Sequence, residues 1–360
     1  MHVALLTNTA WLDEELAMFR YMVVGLMDEN VRVVQVVPDK LDEDESSQFG
    51  SRLSFKDSPW SFLRTHRLGK LAGDLQELGV NLIHAMDGRL WPAAIKLAKK
   101  LQCPAVLTAN SHLDVPLAQK LLKQHAQMPI GIAASTQPLA DAIASSVQAQ
   151  HVMRLIHPGV HVPKTSVKAS EASGALCAVI SGANEFDSEY ESLFIGLAPI
   201  VTSFPQAQFF LDGQGHDQHL IWQAAQKLGL LANISLVPRR LGHRELLLGA
   251  DVLIHPQPMG RSRGLTLQAM SRGIPILAHD DHWLDYLLDD QTAWLINRPH
   301  PELWTTAIER VLRKPAESKA LGERAKQWVG EHHLASDHVQ ATINFYQTIL
   351  GESFKFPGTA

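Results

Sequence analysis

The stretch that decides the fold is residues 250–296, ADVLIHPQPMGRSRGLTLQAMSRGIPILAHDDHWLDYLLDDQTAWLI. The apolar run at 251–255 predicts a buried strand, and a polar loop at 256–264 leads into a helical pattern at 265–272. Gly273 ends that helix, Pro275 prevents its continuation, and a second apolar run follows at once. Strand, loop, helix and strand form a parallel βαβ unit. Because open parallel sheets bind ligands at the carboxyl ends of their strands, we expect a binding site in this loop.

Apolar strands and helical patterns alternate through the rest of the chain. Before the turn-rich segment 157–163, we predict strands at 1–7, 31–37, 80–84, 105–108, 131–135 and 151–156, with helices at 14–27, 60–78, 91–101, 116–125 and 138–146. After it, we predict strands at 175–181, 208–212 and 234–237, with helices at 188–204, 219–228, 242–248, 301–312, 316–331 and 336–350. The acidic, serine-rich residues 39–58 predict a surface loop.

This alternation predicts an α/β protein with two tandem Rossmann-like, doubly wound domains that face each other across a cleft. The domain joint falls in the turn-rich segment. We therefore expect an amino-terminal domain at 1–160, a carboxyl-terminal domain at 161–335, and a final helix and tail at 336–360 that cross back to the first domain.

Bulk composition excludes several classes of protein. The 360 residues are 46% hydrophobic with a net charge of −5, which disfavours a nucleic-acid partner. No signal peptide or membrane-spanning run is evident, so we expect a cytoplasmic protein. Cys103 and Cys177 both lie in apolar contexts, as structural thiols do. The histidines lack ligand spacing, so no metal site is expected.

Seven short landmarks occur along the chain in one order. They are 83–87 (IHAMD), 108–110 (TAN), 134–135 (AS), 156–160 (IHPGV), 210–215 (FLDGQG), 245–251 (ELLLGAD) and 268–275 (QAMSRGIP). In this order they resemble the GT-B glycosyltransferases and, within them, the retaining family 4. The resemblance implies a nucleotide-diphosphate sugar bound by the carboxyl-terminal half and an acceptor bound by the other half. It implies no cofactor beyond that co-substrate and no metal.

The chain departs from the family pattern at its charged positions. Ala183 and Ser188 stand where the family has an arginine and a lysine, and Gly260 and Gln268 stand where it has a pair of glutamates. Asn110 replaces a common histidine, and residues 8–15 (NTAWLDEE) replace a glycine-rich turn. Carboxylates in the loop 181–189 would also repel a diphosphate.

Candidate site residues follow from the resemblance and from strand-end positions. The predicted catalytic or acceptor-side residues are His84, Asp87 and Asn110. The predicted donor-binding residues are Gly182, Gly213, Gly215, Arg239, Arg240, Arg261, Arg263, Gly264, Leu265 and Gln268. Arginines just before a helix are suited to phosphate.

A structural alternative stands beside each of these assignments. The arginines at 261 and 263 are equally well explained as a solvated loop tip, and the pair at 239 and 240 as a surface loop. The glycines at 213 and 215 are also typical of a tight turn. His84 is equally well explained as a hydrogen-bonded histidine at a strand end. The polar run 279–282 is interpreted as the polar rim of a binding site.

Two functions remain open on the sequence. The first is a retaining glycosyltransferase with a divergent donor site, acting on an acceptor that is a glycan, a lipid-linked molecule or a small molecule. The second is a GT-B protein that has lost catalysis and acts as a binding or assembly subunit. This chain lacks the family's arginine, lysine and glutamate pair, and the loss of even one such electrostatic contact lowers the reaction rate by orders of magnitude. For a nucleotide-sugar epimerase, the sequence offers no evident acid/base set. No G-x-G-x-x-G motif follows the first strand, which disfavours hydride chemistry.

Overall fold

A computed structural model describes residues 1–39, 50–55, 61–164, 176–181, 186–212, 218–237, 246–258 and 260–351. The chain divides into two compact units. Unit 1 comprises Met1–Gly159, Gly260–Ser262 and Ala335–Ala360, and unit 2 comprises Val160–Met259 and Arg263–Leu334. Each unit is built on one parallel sheet.

The sheet of unit 1 has seven strands in the order β3-β2-β1-β4-β5-β6-β7, all paired in parallel. The strands are β1 (His2–Leu6), β2 (Arg32–Pro38), β3 (Ser51–Phe55), β4 (Leu82–Ala85), β5 (Ala105–Ala109), β6 (Ile130–Ala134) and β7 (His151–Leu155). The strand order reverses beside β1, which makes this a doubly wound Rossmann-like sheet.

Helices cover both faces of this sheet. They are α1 (Thr9–Asp28), α2 (Ser61–Glu77), α3 (Trp91–Leu101), α4 (Asp114–Gln124), α5 (Gln137–Ala144) and the last helix of the chain, α11 (Ala335–Gly351). Helices α1 and α11 share one core cluster, in which Phe19, Met22, Phe345 and Tyr346 are almost fully buried. Helices α2, α3 and α4 contribute to a second cluster, around Trp91.

Unit 2 contains a six-stranded parallel sheet in the order β10-β9-β8-β11-β12-β13. Its strands are β8 (Cys177–Ile180), β9 (Gln208–Asp212), β10 (Ile234–Val237), β11 (Val252–His255), β12 (Ile276–His279) and β13 (Trp294–Ile296). The labelled helices are α6 (Ser188–Ser203), α7 (Gln218–Lys227), α8 (Gly264–Ser271), α9 (Pro301–Arg313) and α10 (Pro315–His332). Residues 246–249 are also helical, whereas 242–245 of that predicted helix lie outside the described residues.

Two strands correct the sequence-based predictions. Residues 51–55, expected within a surface loop, form edge strand β3 against β2, where Leu53 and Phe55 pack on the apolar core and both serines are exposed. The short β13 was not predicted; Trp294 and Ile296 bury their side chains beside β12. The prediction of two parallel α/β sheets is confirmed.

Helix α1 begins five residues before the predicted start at 14, because Asn8 caps it by accepting a hydrogen bond from the backbone N–H of Trp11 at 2.9 Å. Its backbone leaves helical geometry at Glu15, with φ −118° and ψ 16°. Within the described part of the chain, no helix combines the length and apolar character needed to cross a bilayer.

Candidate functional site

In unit 1, Asp87 lies just beyond the carboxyl end of β4 and is 7% exposed. Its carboxylate accepts hydrogen bonds from the backbone N–H of Arg89 at 2.9 Å and from the Arg89 guanidinium at 2.9 and 3.2 Å. Burial raises the pKa of Asp87, but the hydrogen bonds and charge of Arg89, helped by Arg261, outweigh burial and hold that pKa below its ordinary value. Asp87 is therefore a buried, ionised group with an assigned partner.

Arg261 forms the second ion pair of this edge. Its guanidinium lies 3.4 Å from a carboxylate oxygen of Glu14 in α1 and 3.9 Å from one of Asp87. Two carboxylates thus balance the charge of Arg261, and its role in donor binding stays a prediction. Arg261 belongs to unit 1, whereas Arg263 belongs to unit 2.

Backbone hydrogen bonds hold the three-residue segment Gly260–Ser262 in unit 1. Ser111 and Arg261 form an antiparallel bridge. The N–H of Ser262 donates to the carbonyl of Asn110 at 2.9 Å, and the N–H of His112 donates to the carbonyl of Gly260 at 2.7 Å. The segment is therefore fixed at the end of β5 by main-chain pairing, which does not depend on its side chains.

Asp114, the first residue of α4, organises the turn after β5. One carboxylate oxygen accepts the backbone N–H groups of Asn110 at 2.9 Å and Ser111 at 3.0 Å. Burial raises the pKa of Asp114 to about 6, although these two hydrogen bonds oppose the rise. A Cβ at Gly88 would lie 1.9 Å from the other carboxylate oxygen, so residue 88 must be glycine for this close approach.

A small, partly open pocket lies between these groups. It is lined by Trp11, Glu15, Met18, Asn110, Pro158, Arg261 and Ser262, all of unit 1. The amide nitrogen of Asn110 donates to the carbonyl of Met86 at 2.8 Å, which fixes the orientation of the amide. The predicted residue Asn110 is therefore placed at a pocket, with the carbonyl of its side chain held in a defined direction.

His84 lies in the core of unit 1, 2% exposed. Its Nδ1 is 2.5 Å from the hydroxyl of Tyr346 in α11, and its Nε2 is 2.7 Å from the hydroxyl of Thr108. Burial, with a contribution from His338, lowers the pKa of His84 to about 3. This placement matches the alternative interpretation of a hydrogen-bonded core histidine; a catalytic role for His84 has no support from its surroundings.

In unit 2, a second group of polar residues lies at the carboxyl ends of β8 and β11. His255 ends β11, is 2% exposed, and lies 3.2 Å through Nδ1 from the hydroxyl of Ser181. Arg263 is 3% exposed and precedes helix α8, which starts at Gly264 and has no side-chain cap and no acidic residue in its first turn. Burial, together with the charge of Arg263, lowers the pKa of His255 to about 3, so the imidazole is neutral.

Helix α6, which begins beside β8, has negative charge at its start, whereas α8 has the positive charge of Arg263 there. Asp187 caps it by accepting from the N–H of Tyr190 at 3.1 Å and from the side-chain amide of Gln257. Glu189 and Glu191 occupy its first turn. A carboxylate therefore already satisfies the start of α6, whereas a buried arginine lies at the start of α8. Of the two helix starts, α8 is the one suited to an anion.

The remaining predicted residues divide into two groups. Gly264 and Leu265 are buried in the first turn of α8, and Gln268 is half-buried one turn later. The predicted donor residues Gly182, Gly213, Gly215, Arg239 and Arg240 lie outside the described residues. Throughout the described part of the chain, no three histidine, cysteine or acidic side chains are grouped as metal ligands.

The sequence did not identify Glu14, Glu15, Arg89, Asp114 and Ser262 as site residues. Glu14 and Glu15 belong to the segment that replaces the family's glycine-rich turn. This departure from the family pattern was the sequence signal that could have identified them as site residues. The Asp114 carboxylate accepts from backbone N–H groups three and four residues before it, whereas an Asx turn bonds forward along the chain, so no standard turn signal marked Asp114. The contact between Glu14 and Arg261 spans most of the chain and leaves no local signal.

The profile of the family described as "Glycosyl transferases group 1" matches residues 189–328. No curated protein sequence matches the chain. Among solved structures, a sucrose-phosphate synthase from Thermosynechococcus elongatus is similar with a TM-score of 0.78 and 16% identity, covering 98% of this chain and 100% of that one.

Two further structures agree with this result. HepE from Anabaena, solved in complex with UDP-glucose, has a TM-score of 0.76 and 13% identity, covering 97% of this chain and 100% of that one. A glycosyltransferase from Rickettsia africae has a TM-score of 0.75 and 10% identity, covering 98% of this chain and 99% of that one. The chain therefore has the fold of the GT-B glycosyltransferases. The family model of group 1 glycosyltransferases matches residues 189–328, so the resemblance to GT-B glycosyltransferases stated from the sequence is confirmed.

Proposed function

We propose that the protein transfers a sugar from a nucleoside-diphosphate sugar to an acceptor hydroxyl, with retention of configuration, as in family 4. The bond between the anomeric carbon and the diphosphate oxygen breaks, and a glycosidic bond forms to the acceptor oxygen on the same face. The nucleoside diphosphate leaves with the bonding electron pair, and the proton of the acceptor hydroxyl passes to the departing phosphate.

The observation that supports this proposal most is Arg263 at the start of α8. A departing diphosphate needs positive charge and N–H donors. Arg263 is buried at 3% exposure, and the first turn of α8 contains no carboxylate. The neutral His255, at the end of β11, interacts electrostatically with Arg263. A buried guanidinium interacts with an anion more strongly than an exposed one does, because less water screens the charge. We therefore assign Arg263, Gly264 and Leu265 to the diphosphate.

Relatives in structure support the choice of co-substrate. HepE was solved with UDP-glucose, and its fold matches this chain over nearly its whole length. In the proposed reaction the charge of the leaving group is met by Arg263 and the helix start, so the proposal includes no metal ion and no cofactor beyond the nucleotide sugar.

Calorimetric titration of the full chain with UDP, GDP and ADP glucose tests the proposal. We expect heat and slow product formation with one of them. Arg263→Ala should weaken binding of that donor about 10- to 100-fold, because a charge-assisted contact is lost. Arg298→Ala, at an exposed arginine, is the matched control and should bind like the parent chain. Absence of heat and of product with every donor sinks the proposal.

A second candidate is a binding or assembly subunit without turnover. Gly260 offers no side chain at the position of the family's first glutamate, and Ser188, at the position of its lysine, starts α6 and donates its hydroxyl to Glu189 at 3.0 Å. Nucleotide binding without any product would favour this candidate. Turnover that disappears in Arg263→Ala while the fold persists would refute it.

A further inference from the structure

We propose that His255 is a further catalytic residue, whose Nε2–H donates an uncharged hydrogen bond to the departing diphosphate beside Arg263. This role deepens the proposed transferase function and rests on it. It is supported by the face of the sheet on which His255 lies, by a ring nitrogen without a partner, and by the hydroxyl that holds the other ring nitrogen.

His255 lies on the face of the six-stranded sheet that α8 covers. Leu253 of β11 and Val179 of β8 pack with Leu265 and Met270 of α8 in one apolar cluster. Side chains alternate along a strand, so His255, two positions beyond Leu253, points to the same face. It ends β11, at the carboxyl edge of the sheet. The imidazole is therefore a polar group at the end of an apolar layer, on the side of the sheet where α8 packs.

One ring nitrogen of His255 has no partner in the part of the chain that the structure describes. The side chain is 2% exposed, and Nε2 is buried without a hydrogen bond. The charge of Arg263 acts on the ring, and Arg263 immediately precedes α8. Native proteins keep few buried polar atoms without a partner, because each one lowers stability. Such an atom beside a helix start that suits an anion indicates a ligand.

A second buried polar atom lacks a partner at the same helix start. Thr266 belongs to the first turn of α8 and is fully buried, and its Oγ1 has no hydrogen bond within the described residues. A threonine inside a helix commonly bonds its hydroxyl back to a carbonyl of the preceding turn, and Thr266 does not. Two open polar atoms around Arg263 suit a ligand with several oxygens, as a diphosphate has.

Ser181 fixes the hydrogen of the imidazole on Nε2. The hydroxyl oxygen of Ser181 lies 3.2 Å from Nδ1 of His255, and Ser181 is itself 2% exposed. Among the described residues, Nδ1 is the only acceptor within reach of this hydroxyl, so the hydroxyl donates to Nδ1. The hydrogen of a neutral ring then resides on Nε2, which makes Nε2 a donor.

The ring of His255 acts without charge. Burial, together with the charge of Arg263, lowers its pKa to about 3, so the ring is neutral near pH 7. A neutral imidazole stabilises developing negative charge through its N–H and adds no second positive charge beside Arg263. The ring transfers no proton, because loss of its only N–H hydrogen would leave an imidazolate. The diphosphate leaves with the bonding electron pair, and His255 keeps its hydrogen.

Two substitutions of His255 in the full chain test this role. His255→Leu removes the donor, and His255→Gln replaces it with an amide N–H. With the nucleoside-diphosphate glucose that is turned over, kcat should fall about 30- to 100-fold in His255→Leu, near the low end for one such donor because Arg263 remains. His255→Gln should recover most of this loss. The donor KM should change less than kcat, since the contact strengthens as charge develops on the leaving oxygen.

His151→Leu is the matched control. His151 is a buried histidine of unit 1 whose two ring nitrogens both have partners, namely the backbone N–H of Gln148 at 3.3 Å and the carbonyl of His125 at 3.2 Å. His151→Leu should lower the thermal unfolding midpoint and leave kcat of the folded protein unchanged. His255→Leu should do the reverse, with a midpoint within about 4 °C of the parent chain, because Nε2 has no partner to lose.

Nitrogen-15 NMR of the imidazole rings checks the tautomer without turnover. In the full chain labelled with nitrogen-15 histidine, His255→Gln identifies the signals of this ring. We expect hydrogen on Nε2, and a shift of that signal on titration with inorganic pyrophosphate that is lost in Arg263→Ala. Hydrogen on Nδ1 in the pyrophosphate-bound chain overturns the role of His255.

The failures of the two proposals are distinguishable. A donor that binds and turns over through Arg263, with equal kcat in the parent chain and in His255→Leu, overturns the role of His255 and leaves the transferase intact. Equal loss of kcat in His255→Leu and His255→Gln, with a midpoint lowered as in His151→Leu, assigns His255 to the core and overturns its role as well. Absence of binding and of product with every donor defeats both proposals.

Discussion

The imidazole of His112 fills the space in which a side chain at residue 260 would begin. A Cβ built on Gly260 would lie 2.0 Å from Nδ1 of His112, and the backbone of Gly260 has a φ of +55°. The ring also lies 3.2 Å through Nδ1 from the carbonyl of Gly260. Restoring a glutamate at residue 260 alone is therefore blocked by steric contact and by backbone conformation.

Gly260→Ala should destabilise unit 1 by about 1–3 kcal/mol, because it combines a positive φ with overpacking. The free energy of unfolding in urea measures the effect. Adding His112→Ala should restore the part that arises from the contact and leave the part that arises from φ. Gly249→Ala, with no atom within 4 Å of its Cβ, is the control and should change stability by less than about 0.5 kcal/mol. A neutral Gly260→Ala would contradict this geometry.

Asp114 should make the folded state less stable as pH rises from about 4 to about 6. Burial raises its pKa to about 6, so between its unfolded and folded pKa values the folded chain binds the proton more tightly, and stability is lost on deprotonation. Asp114→Asn keeps an oxygen for the N–H groups of Asn110 and Ser111 but removes the titration. Unfolding free energies at pH 4.5, 6 and 7.5 should therefore fall less steeply with pH in Asp114→Asn. An unchanged slope would refute the assignment.

The hydrogen bond between His84 and Tyr346 should contribute measurably to stability. Tyr346→Phe leaves Nδ1 of a fully buried imidazole without its partner, and we expect a loss of about 1–3 kcal/mol. Thr108→Val removes the partner of Nε2, and the two losses should not add, since both act on one ring. A double-mutant cycle by chemical denaturation measures the coupling. Losses that add fully would show that the ring does not couple them.

His84 should also make stability depend on acid. Its pKa is lowered to about 3 by burial, so the unfolded chain takes up a proton below about pH 6.5 that the folded chain does not. The stability contributed by the neutral ring is complete above that pH and declines as pH falls toward 3. His84→Gln should show a shallower decline than the parent chain in the same denaturation series.

Helix α10 approaches the backbone just after α8 so closely that Gly322 admits no side chain. A Cβ there would lie 1.9 Å from the carbonyl oxygen of Gly273. Gly322→Ala should cost roughly 2–3 kcal/mol, because backbone must move. Gly330→Ala, in the same helix with no atom within 4 Å, should instead be neutral or stabilise by up to about 1 kcal/mol. The thermal unfolding midpoints of the two variants should therefore shift in opposite directions or differ by several degrees.

The sequence predicts the fold well because strand and helix periodicities are local. Residues 91–101 and 234–237 form the predicted helix and strand with the predicted bounds. Strand β13 has three residues and β3 begins with two polar residues, so neither produces the apolar run or the regular alternation that signals a strand. Both lie at sheet edges, where less apolar surface is covered.

The site was harder to predict because its contacts join distant parts of the chain. Asp87 and Asn110 could be proposed from strand ends, since that rule depends on topology alone. The pairing of Glu14 with Arg261, and the hydroxyl of Ser262 left in a pocket, depend on three-dimensional placement. His84 satisfied the same strand-end rule, yet its ring nitrogens belong to the core, because side chains at the last strand positions alternate between faces.

The last helix has a consequence for the synthesis of the chain. The 22-residue core cluster beside α1 includes Val339, Ile343, Phe345, Tyr346 and Ile349, and the partner of His84 lies 262 residues further along the chain. A ribosome emits the strands of unit 1 before α11, so the part of the seven-stranded sheet that α11 covers beside α1 stays uncovered until residues 335–351 have been made. Unit 2 can complete its own core earlier. Unit 1, whose strands precede unit 2 in the sequence, thus completes its core only after unit 2 has been made.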